Sequence, residues 1–355
     1  MYKIKAPTNS ELDLYYKKYA PVVLDRINDY LFHNKTITIN LGRTNIIQCK
    51  IGIMEESSSF VARFLKAISS ESGLRRLLCG DFDTLFKIVH LIKSNSQTNF
   101  ESITKKRILH IKYVEGNILE DFHAILKDIF VDGIYNTDTF DKTEFIEKRG
   151  FTICPYCGMS RIKPRRKDDN SIVKPHIDHF LPKSIYPFFA LSFYNLIPAC
   201  PMCNMKPNKG DQDPLSSDKK VLHLMNPYSF KEDAFLFRYN YNGAGEFDSN
   251  NFTVFLDYLK NTHLKHGYTI VTDIERLYSD MTDDLCALWR QMKSLNNSKL
   301  SYAKKLLPGA TTEDLLNTIN VFGYIFDENS SRIYAYYKFN KDLYMEIRKN
   351  IDTAM

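Results

Sequence analysis

The chain has 355 residues, 44% of them hydrophobic and 13% aromatic, with a formal net charge of +6 and seven cysteines. A chain of this length and apolar content can bury real cores in two or three structural units, and so mild a charge permits a polyanionic partner without requiring one. The opening stretch Met1-Tyr-Lys-Ile-Lys-Ala-Pro-Thr-Asn lacks the apolar run of a secretion signal, and nowhere does the sequence approach the roughly 18 uninterrupted apolar residues of a membrane span. The composition therefore excludes a secreted or membrane-spanning class, and a soluble, cytoplasmic protein is expected.

In chain order, Thr8-Asn-Ser-Glu11 has the form of a capping box, in which a hydroxyl and a carboxylate satisfy each other's free backbone N–H groups. Leu12, Leu14, Tyr15, Tyr19, Val22, Val23 and Ile27 follow at helical spacing, so a helix or helix pair is expected, interrupted near Pro21. Thr36-Ile-Thr-Ile-Asn and Asn45-Ile-Ile-Gln-Cys-Lys-Ile alternate with period two about Leu41-Gly42-Arg43, which predicts a short hairpin. Helical spacing then returns through Phe60, Phe64, Leu65 and Ile68, through Leu85, Ile88, Val89 and Ile92, and through Ile118, Phe122, Ile125 and Ile129.

From about residue 146 the composition changes to Pro, Cys, His and Asn with clustered basic residues, and helical periodicity lapses. A second hairpin is expected from Phe235-Leu-Phe-Arg-Tyr-Asn-Tyr and Phe252-Thr-Val-Phe, joined through Asn242-Gly-Ala-Gly. Ile270, Ile274, Leu277 and Met281, then Leu285, Leu288, Trp289 and Met292, predict further helices, and Thr311-Thr-Glu-Asp314 predicts a cap for another. The reading is an α+β, mostly α protein: a helical region over 1–145 with a short hairpin, a chemical module over 146–215, and a hairpin plus helices over 216–355.

Four of the cysteines form two knuckles, Cys154-Pro-Tyr-Cys157 and Cys200-Pro-Met-Cys203. Two CxxC pairs a few dozen residues apart have the spacing of a tetrahedral four-thiolate zinc site, which supplies folding free energy on the order of 10 kcal/mol to a segment too small for a core of its own. A redox pair or disulfides are the weaker readings in a cytoplasmic chain with two knuckles. Cys49, Cys79 and Cys286 stand alone in apolar surroundings and are expected to be small buried hydrophobes.

Between the knuckles lie His176-Ile-Asp178-His179-Phe-Leu-Pro182-Lys-Ser and Tyr194-Asn195-Leu196, and the second knuckle runs directly into Asn204. From about Cys154 to Asp211 this order resembles the HNH endonucleases, the ββα-metal nuclease superfamily, in the branch clasped by a zinc ion on four cysteines. The resemblance implies that Asp178 is a ligand of a catalytic Mg2+ or Mn2+, that His179 is the general base, and that Asn195 ties the loop that orients the histidine. It makes Asn204 the second protein ligand of the catalytic cation, an H-N-N variant of the motif. The chemistry agrees: an imidazole with an ordinary pKa near 6.5 suits water deprotonation, and two hard oxygen ligands leave room for water and phosphate oxygens on Mg2+. Because Asp178 and His179 are adjacent, the strand carrying them must end or bend there for both to address one site, and Pro182 is consistent with that. His176 alternates with Asp178 and is open to an accessory-ligand or phosphate-contact reading, but reads first as a structural histidine bracing the zinc module.

Residues 151–215 carry nine basic side chains against five acidic ones, which is most of the chain's excess positive charge. Arg161, Lys163, Arg165, Arg166 and Lys167 lie on the loop before the Asp178 strand, and Lys183, Lys206 and Lys209 lie beside the motif; all but Lys167 are taken as candidate phosphate-backbone contacts. The expected function is metal-dependent hydrolysis of phosphodiester bonds in DNA. General similarity to bacterial nuclease effectors implies an antiphage or restriction role beside an ATPase or other regulatory subunit. Two alternatives stay open: a zinc-dependent nucleic-acid-binding protein without cleavage, and an RNA-directed nuclease.

Overall fold

The computed structural model describes residues 3–32, 35–40, 46–51, 60–95, 112–114, 117–119, 122–166, 172–173, 175–215, 222–243, 248–270, 273–294, 301–302, 305–306, 308–309 and 335–354. The first helix, α1 (Asn9–Phe32), opens on the reciprocal cap read from the sequence. Thr8 N donates to Glu11 Oε2 at 2.6 Å and Glu11 N donates to Thr8 Oγ1 at 3.2 Å. The expected interruption at Pro21 does not occur, and α1 runs through it. An internal proline costs about 3 kcal/mol. Beyond it Val23, Ile27 and Tyr30 are all fully buried, and each such burial contributes roughly 1.5–3 kcal/mol, so one continuous apolar face wins.

Strands β1 (Lys35–Asn40) and β2 (Ile46–Ile51) pair antiparallel from Lys35↔Ile51 to Asn40↔Ile46, as the alternation predicts; the Leu41-Gly42-Arg43 turn lies outside the described residues. Helices α2 (Phe60–Ser69), α3 (Glu71–Cys79) and α4 (Phe82–Asn95) follow, with Ser70 capping α3 by accepting from Gly73 N at 3.1 Å. Strands β3 (Lys112–Val114) and β4 (Asn117–Leu119) form a second antiparallel pair. Ile118 therefore belongs to a strand opposite Tyr113 and not to the helix its spacing suggested. A single β-branched residue four places before Phe122 is compatible with either period, and strand pairing decides it. The helix begins instead at α5 (Phe122–Leu126) and continues as a π-helical turn over Lys127–Tyr135.

Helix α6 (Lys142–Arg149) is capped by Asp141 Oδ1, which accepts from Thr143 N and Glu144 N at 2.9 and 3.0 Å, and it stops at Gly150 in the left-handed region at φ +63°. Two-residue strands β5 (Arg165–Arg166) and β6 (Ile172–Val173) pair next. Strand β7 (His176–His179) pairs antiparallel with β8 (Leu196–Ala199), and α7 (Pro201–Asn204) follows. The second predicted hairpin is β9 (Leu236–Tyr241) with β10 (Phe252–Asp257). Helices α8 (Lys265–Ile270), α9 (Ile274–Ser279), α10 (Thr282–Ser294) and α11 (Tyr337–Ala354) complete the described chain. The cap predicted at Thr311–Asp314 lies outside the described residues.

The fold is thus α+β and mostly helical, with small two-stranded sheets. Buried apolar residues form one contiguous cluster from Ile4 to Ile347. Cys79 and Cys286 are buried within it as expected, whereas the side chain of Cys49 lies outside the described residues. Both flanks grip the middle segment. Tyr15 Oη donates to Leu191 O at 2.8 Å and Ser192 Oγ donates to Leu77 O at 2.6 Å. From the other side, Tyr278 Oη donates to Cys157 O and Tyr336 N donates to Gly158 O, both at 2.7 Å. Among the described residues no helix is long and apolar enough to cross a membrane.

Candidate metal centre and adjoining polar site

Each knuckle is a turn that aims two sulfurs at one point. In the first, Gly158 N donates to Cys154 O at 2.8 Å, and Gly158 takes φ +71°, a conformation that costs glycine nothing and strains other residues. In the second, Cys200 is the N-cap of α7, its Sγ accepting from Cys203 N at 3.4 Å while Pro201 supplies the preset φ of the first helical position. The knuckles are joined by Cys200 N donating to Cys154 Sγ at 3.4 Å.

The four sulfurs of Cys154, Cys157, Cys200 and Cys203 lie within 4.8 Å of one another, and all four residues are buried. Cys157 Sγ and Cys200 Sγ are 4.0 Å apart, against the ~3.8 Å that a tetrahedron of ~2.3 Å zinc–sulfur bonds requires. Hydrogen bonding from Cys154 first pulls the Cys157 thiol well below its ordinary pKa and brings Cys200 down to about 7, while burial pushes the Cys154 thiol up and hydrogen bonding from Cys154 pushes Cys203 up, so two of the four sulfurs favour the thiolate before any cation is bound. Buried thiolate charge needs a cation. The donor set fits a metal ion such as zinc.

Beside this cluster, strand alternation puts His176 and Asp178 on one face of β7 and Ile177 and His179 on the other. Asp178 is 2% exposed, and both carboxylate oxygens are engaged. Tyr156 Oη donates to Oδ2, and Lys209 Nζ donates to Oδ1 at 3.0 Å and to His179 O at 2.9 Å. Lys209 itself is 0% exposed. The expectation of a surface phosphate contact at Lys209 is thereby corrected: an unpaired buried ammonium is strongly disfavoured, and here it is held by the Asp178 carboxylate.

His179 is also buried, its ring edge-on to Tyr135 with centroids 4.4 Å apart. Its Nε2 lies 3.1 Å from Ala190 O. A carbonyl can only accept, so Nε2 carries the hydrogen and the neutral ring keeps its lone pair on Nδ1. Burial, and next the Lys183 ammonium, hold its pKa well below the ordinary imidazole range. The ring is therefore neutral at physiological pH.

Asn195, fully buried, ties the loop that leaves β7. Its Oδ1 accepts from Leu181 N at 2.7 Å, and its Nδ2 donates to Leu181 O and Phe189 O, each at 3.0 Å. Those bonds set the turn whose Ala190 carbonyl receives the histidine. Asn204, half-buried, places Nδ2 3.3 Å from His176 Nδ1.

For a catalytic divalent cation the donor types of Asp178, Asn204 and His176 are suitable, but their arrangement is not. Both Asp178 oxygens already accept hydrogen bonds, and its charge is balanced by Lys209. Asn204 faces His176 instead. The residues as placed do not fit the Mg2+ or Mn2+ expected on Asp178 and Asn204, and no step is assigned to one.

Of the basic residues, Arg161 and Lys163 are exposed after the first knuckle, Arg165 is exposed in β5, and Lys206 is exposed and paired with Asp211 at 3.0 Å. The side chain of Arg166 and all of Lys167 lie outside the described residues. Lys183 is half-buried and donates to Asn136 Oδ1 at 3.4 Å. Tyr135, Lys142 and Tyr156 were not singled out from the sequence. Tyr156 sits inside the first knuckle and Tyr135 more than forty residues before His179, and nothing local signals either contact. Compared with family models, curated proteins and solved structures, the chain matches none.

Proposed function

We propose that the chain is an HNH-type endonuclease, hydrolysing phosphodiester bonds in DNA with His179 as general base. The observation that carries the reading is the locked tautomer of His179: its Nε2–H is committed to Ala190 O, and a neutral Nδ1 is left to take a proton. Supporting it, β7, β8 and α7 follow one another beside the four-cysteine cluster, with Asp178 and His179 ending the first strand, Asn195 leading into the second and Asn204 closing the helix. That is the order the resemblance implies.

In the proposed step, Nδ1 of His179 accepts a proton from water as the oxygen attacks phosphorus. The bond from phosphorus to the 3′ oxygen breaks, leaving a 5′ phosphate and a 3′ hydroxyl, the latter taking its proton from solvent. Asn195 acts through the loop that holds Ala190, and the cysteine cluster holds both strands and helix in place.

The test is cleavage of duplex DNA, single-stranded DNA and RNA by purified protein, with Mg2+ or Mn2+ and with chelator, beside His179→Ala. Loss of a general base lowers the rate by about 10²- to 10⁴-fold, and the variant should stay folded and metal-loaded at the cysteines. Equal cutting by both proteins removes the proposed base, and cutting of RNA alone changes the substrate. A second reading, nucleic-acid binding without cleavage, is favoured by the Asp178–Lys209 pair, which takes up the carboxylate a metal would need. Binding of duplex DNA by wild type with no cutting under any cation would establish it.

A further inference from the structure

After the cysteine module, two histidines from separate segments meet. His223 is half-buried and His266 lies exposed in the first turn of α8. Their rings stand edge to face, with centroids 5.1 Å apart and planes at 61°. The backbone holds them there. His223 N donates to Pro214 O at 2.8 Å, and a Cβ at Gly267 would fall 1.9 Å from His223 O, so the close approach of α8 to His223 requires glycine at that position. Leu224 and Leu264, at 0% and 2% exposed, bury the chain beside each ring.

His223 Nδ1 lies 3.3 Å from His263 O. A carbonyl only accepts, so in the neutral ring Nδ1 carries the hydrogen and Nε2 keeps its lone pair. Backbone carbonyls orient metal-ligating imidazoles in the same way, by taking the outer N–H and leaving the other nitrogen to bind. Among the described residues the His266 ring makes no hydrogen bond, and its contact is the His223 ring. The spacing suits one shared ion: with metal–nitrogen bonds of ~2.0–2.1 Å and each nitrogen ~1.1 Å from its ring centre, two imidazoles at a tetrahedral angle have centroids ~5.2 Å apart. Imidazole selects zinc, copper or nickel over magnesium or calcium. Among the described residues, the cysteine cluster is the one group of three or more His, Cys, Asp or Glu donors close enough for a single ion, so an ion on the histidine pair keeps water in its other positions.

We propose that His223 and His266 form a second metal site, for a divalent ion of the zinc, nickel or copper class, which ties the segment after the cysteine module to α8. The site stands on the ring geometry and the His263 carbonyl, and it is independent of the nuclease reading.

The experiment is equilibrium dialysis of the full chain against buffered Zn2+, followed by metal analysis, for wild type, His223→Gln, His266→Gln and the double variant. Wild type should hold one ion more than the double variant, whatever the cysteines retain. Each single variant should bind that ion at least about tenfold more weakly, since loss of a group that merely orients a ligand already costs that much. His263→Gln keeps the backbone carbonyl and should match wild type. Equal zinc in wild type and double variant overturns the site, and so does an ion lost in His263→Gln but kept in His266→Gln. Because the ion joins two segments, Zn2+ should raise the melting temperature of wild type more than that of the double variant, and equal shifts overturn the tie. A readout on wild type alone is free of folding effects in variants. Diethylpyrocarbonate modifies free imidazoles, so Zn2+ should protect His223 and His266 while the exposed His263 stays reactive, and Mg2+ should protect none of them. Equal modification with and without Zn2+ overturns the proposal, and equal protection by Mg2+ overturns the metal class.

Discussion

The cysteine cluster and the polar site beside it are built in opposite ways. The cluster is made by two local turns, each of which a four-residue motif suffices to shape, so its sulfurs converge wherever the two knuckles are brought together. The polar site is made by side chains that share no motif: Tyr156 and Lys209 close on Asp178 from opposite ends of the segment, and Tyr135 reaches His179 from the helical region before it. A site assembled from remote segments depends on the fold in a way the knuckles do not. Its charges are then balanced by whichever neighbours the fold delivers.

The largest effect should come from the cluster. Cys200→Ser, or strong chelation, removes a binding free energy on the order of 10 kcal/mol from the segment. Folding yield and bound zinc, measured together by circular dichroism and metal analysis, should fall together. A Cys200→Ser protein that folds normally without metal would make the cluster incidental and leave the polar site as the organiser.

Lys209→Met sharpens the contrast from the other side. It keeps the length of the buried chain but strands Asp178, and breaking one partner from a buried pair costs about 3–5 kcal/mol. The urea midpoint should drop while zinc content at full folding stays the same, and adding Asp178→Asn should recover most of the loss because the stranded charge is gone. If Lys209→Met is as stable as wild type, the ammonium is not needed there.

The smallest effect is the pH dependence. His179 is held neutral by burial, with a pKa below the ordinary value of about 6.5, so the unfolded chain binds the proton more readily than the folded one. Its contribution is fully present above about pH 6.5 and is lost as the pH falls, by at most about 1.4 kcal/mol per pH unit. Urea midpoints of wild type should fall more steeply from about pH 7 to about pH 5 than those of His179→Gln. Parallel curves would mean the ring is not kept neutral by its surroundings.

Much of the fold could be read in advance where the signal is short-range. The Thr8–Glu11 cap, the β1–β2 and β9–β10 hairpins and the convergence of four cysteines rest on neighbours in sequence or on spacing alone. Pro21 misled because a proline penalty is local, whereas the apolar face that overrides it is a property of the whole helix. Ile118 misled because one residue fits two periods. Asn195 could be picked out as a loop tie, yet its partners Leu181 and Phe189 became visible only in three dimensions.

By itself the amino-acid sequence determined which residues can do chemistry here: four thiols in paired turns, an Asp-His dipeptide, and two asparagines at set distances from them. Only the tertiary structure decided what those residues face. It put an ammonium on Asp178 and a carbonyl on His179, because charge and hydrogen-bond partners in a buried site are fixed by proximity in space, and no spacing along the chain encodes that.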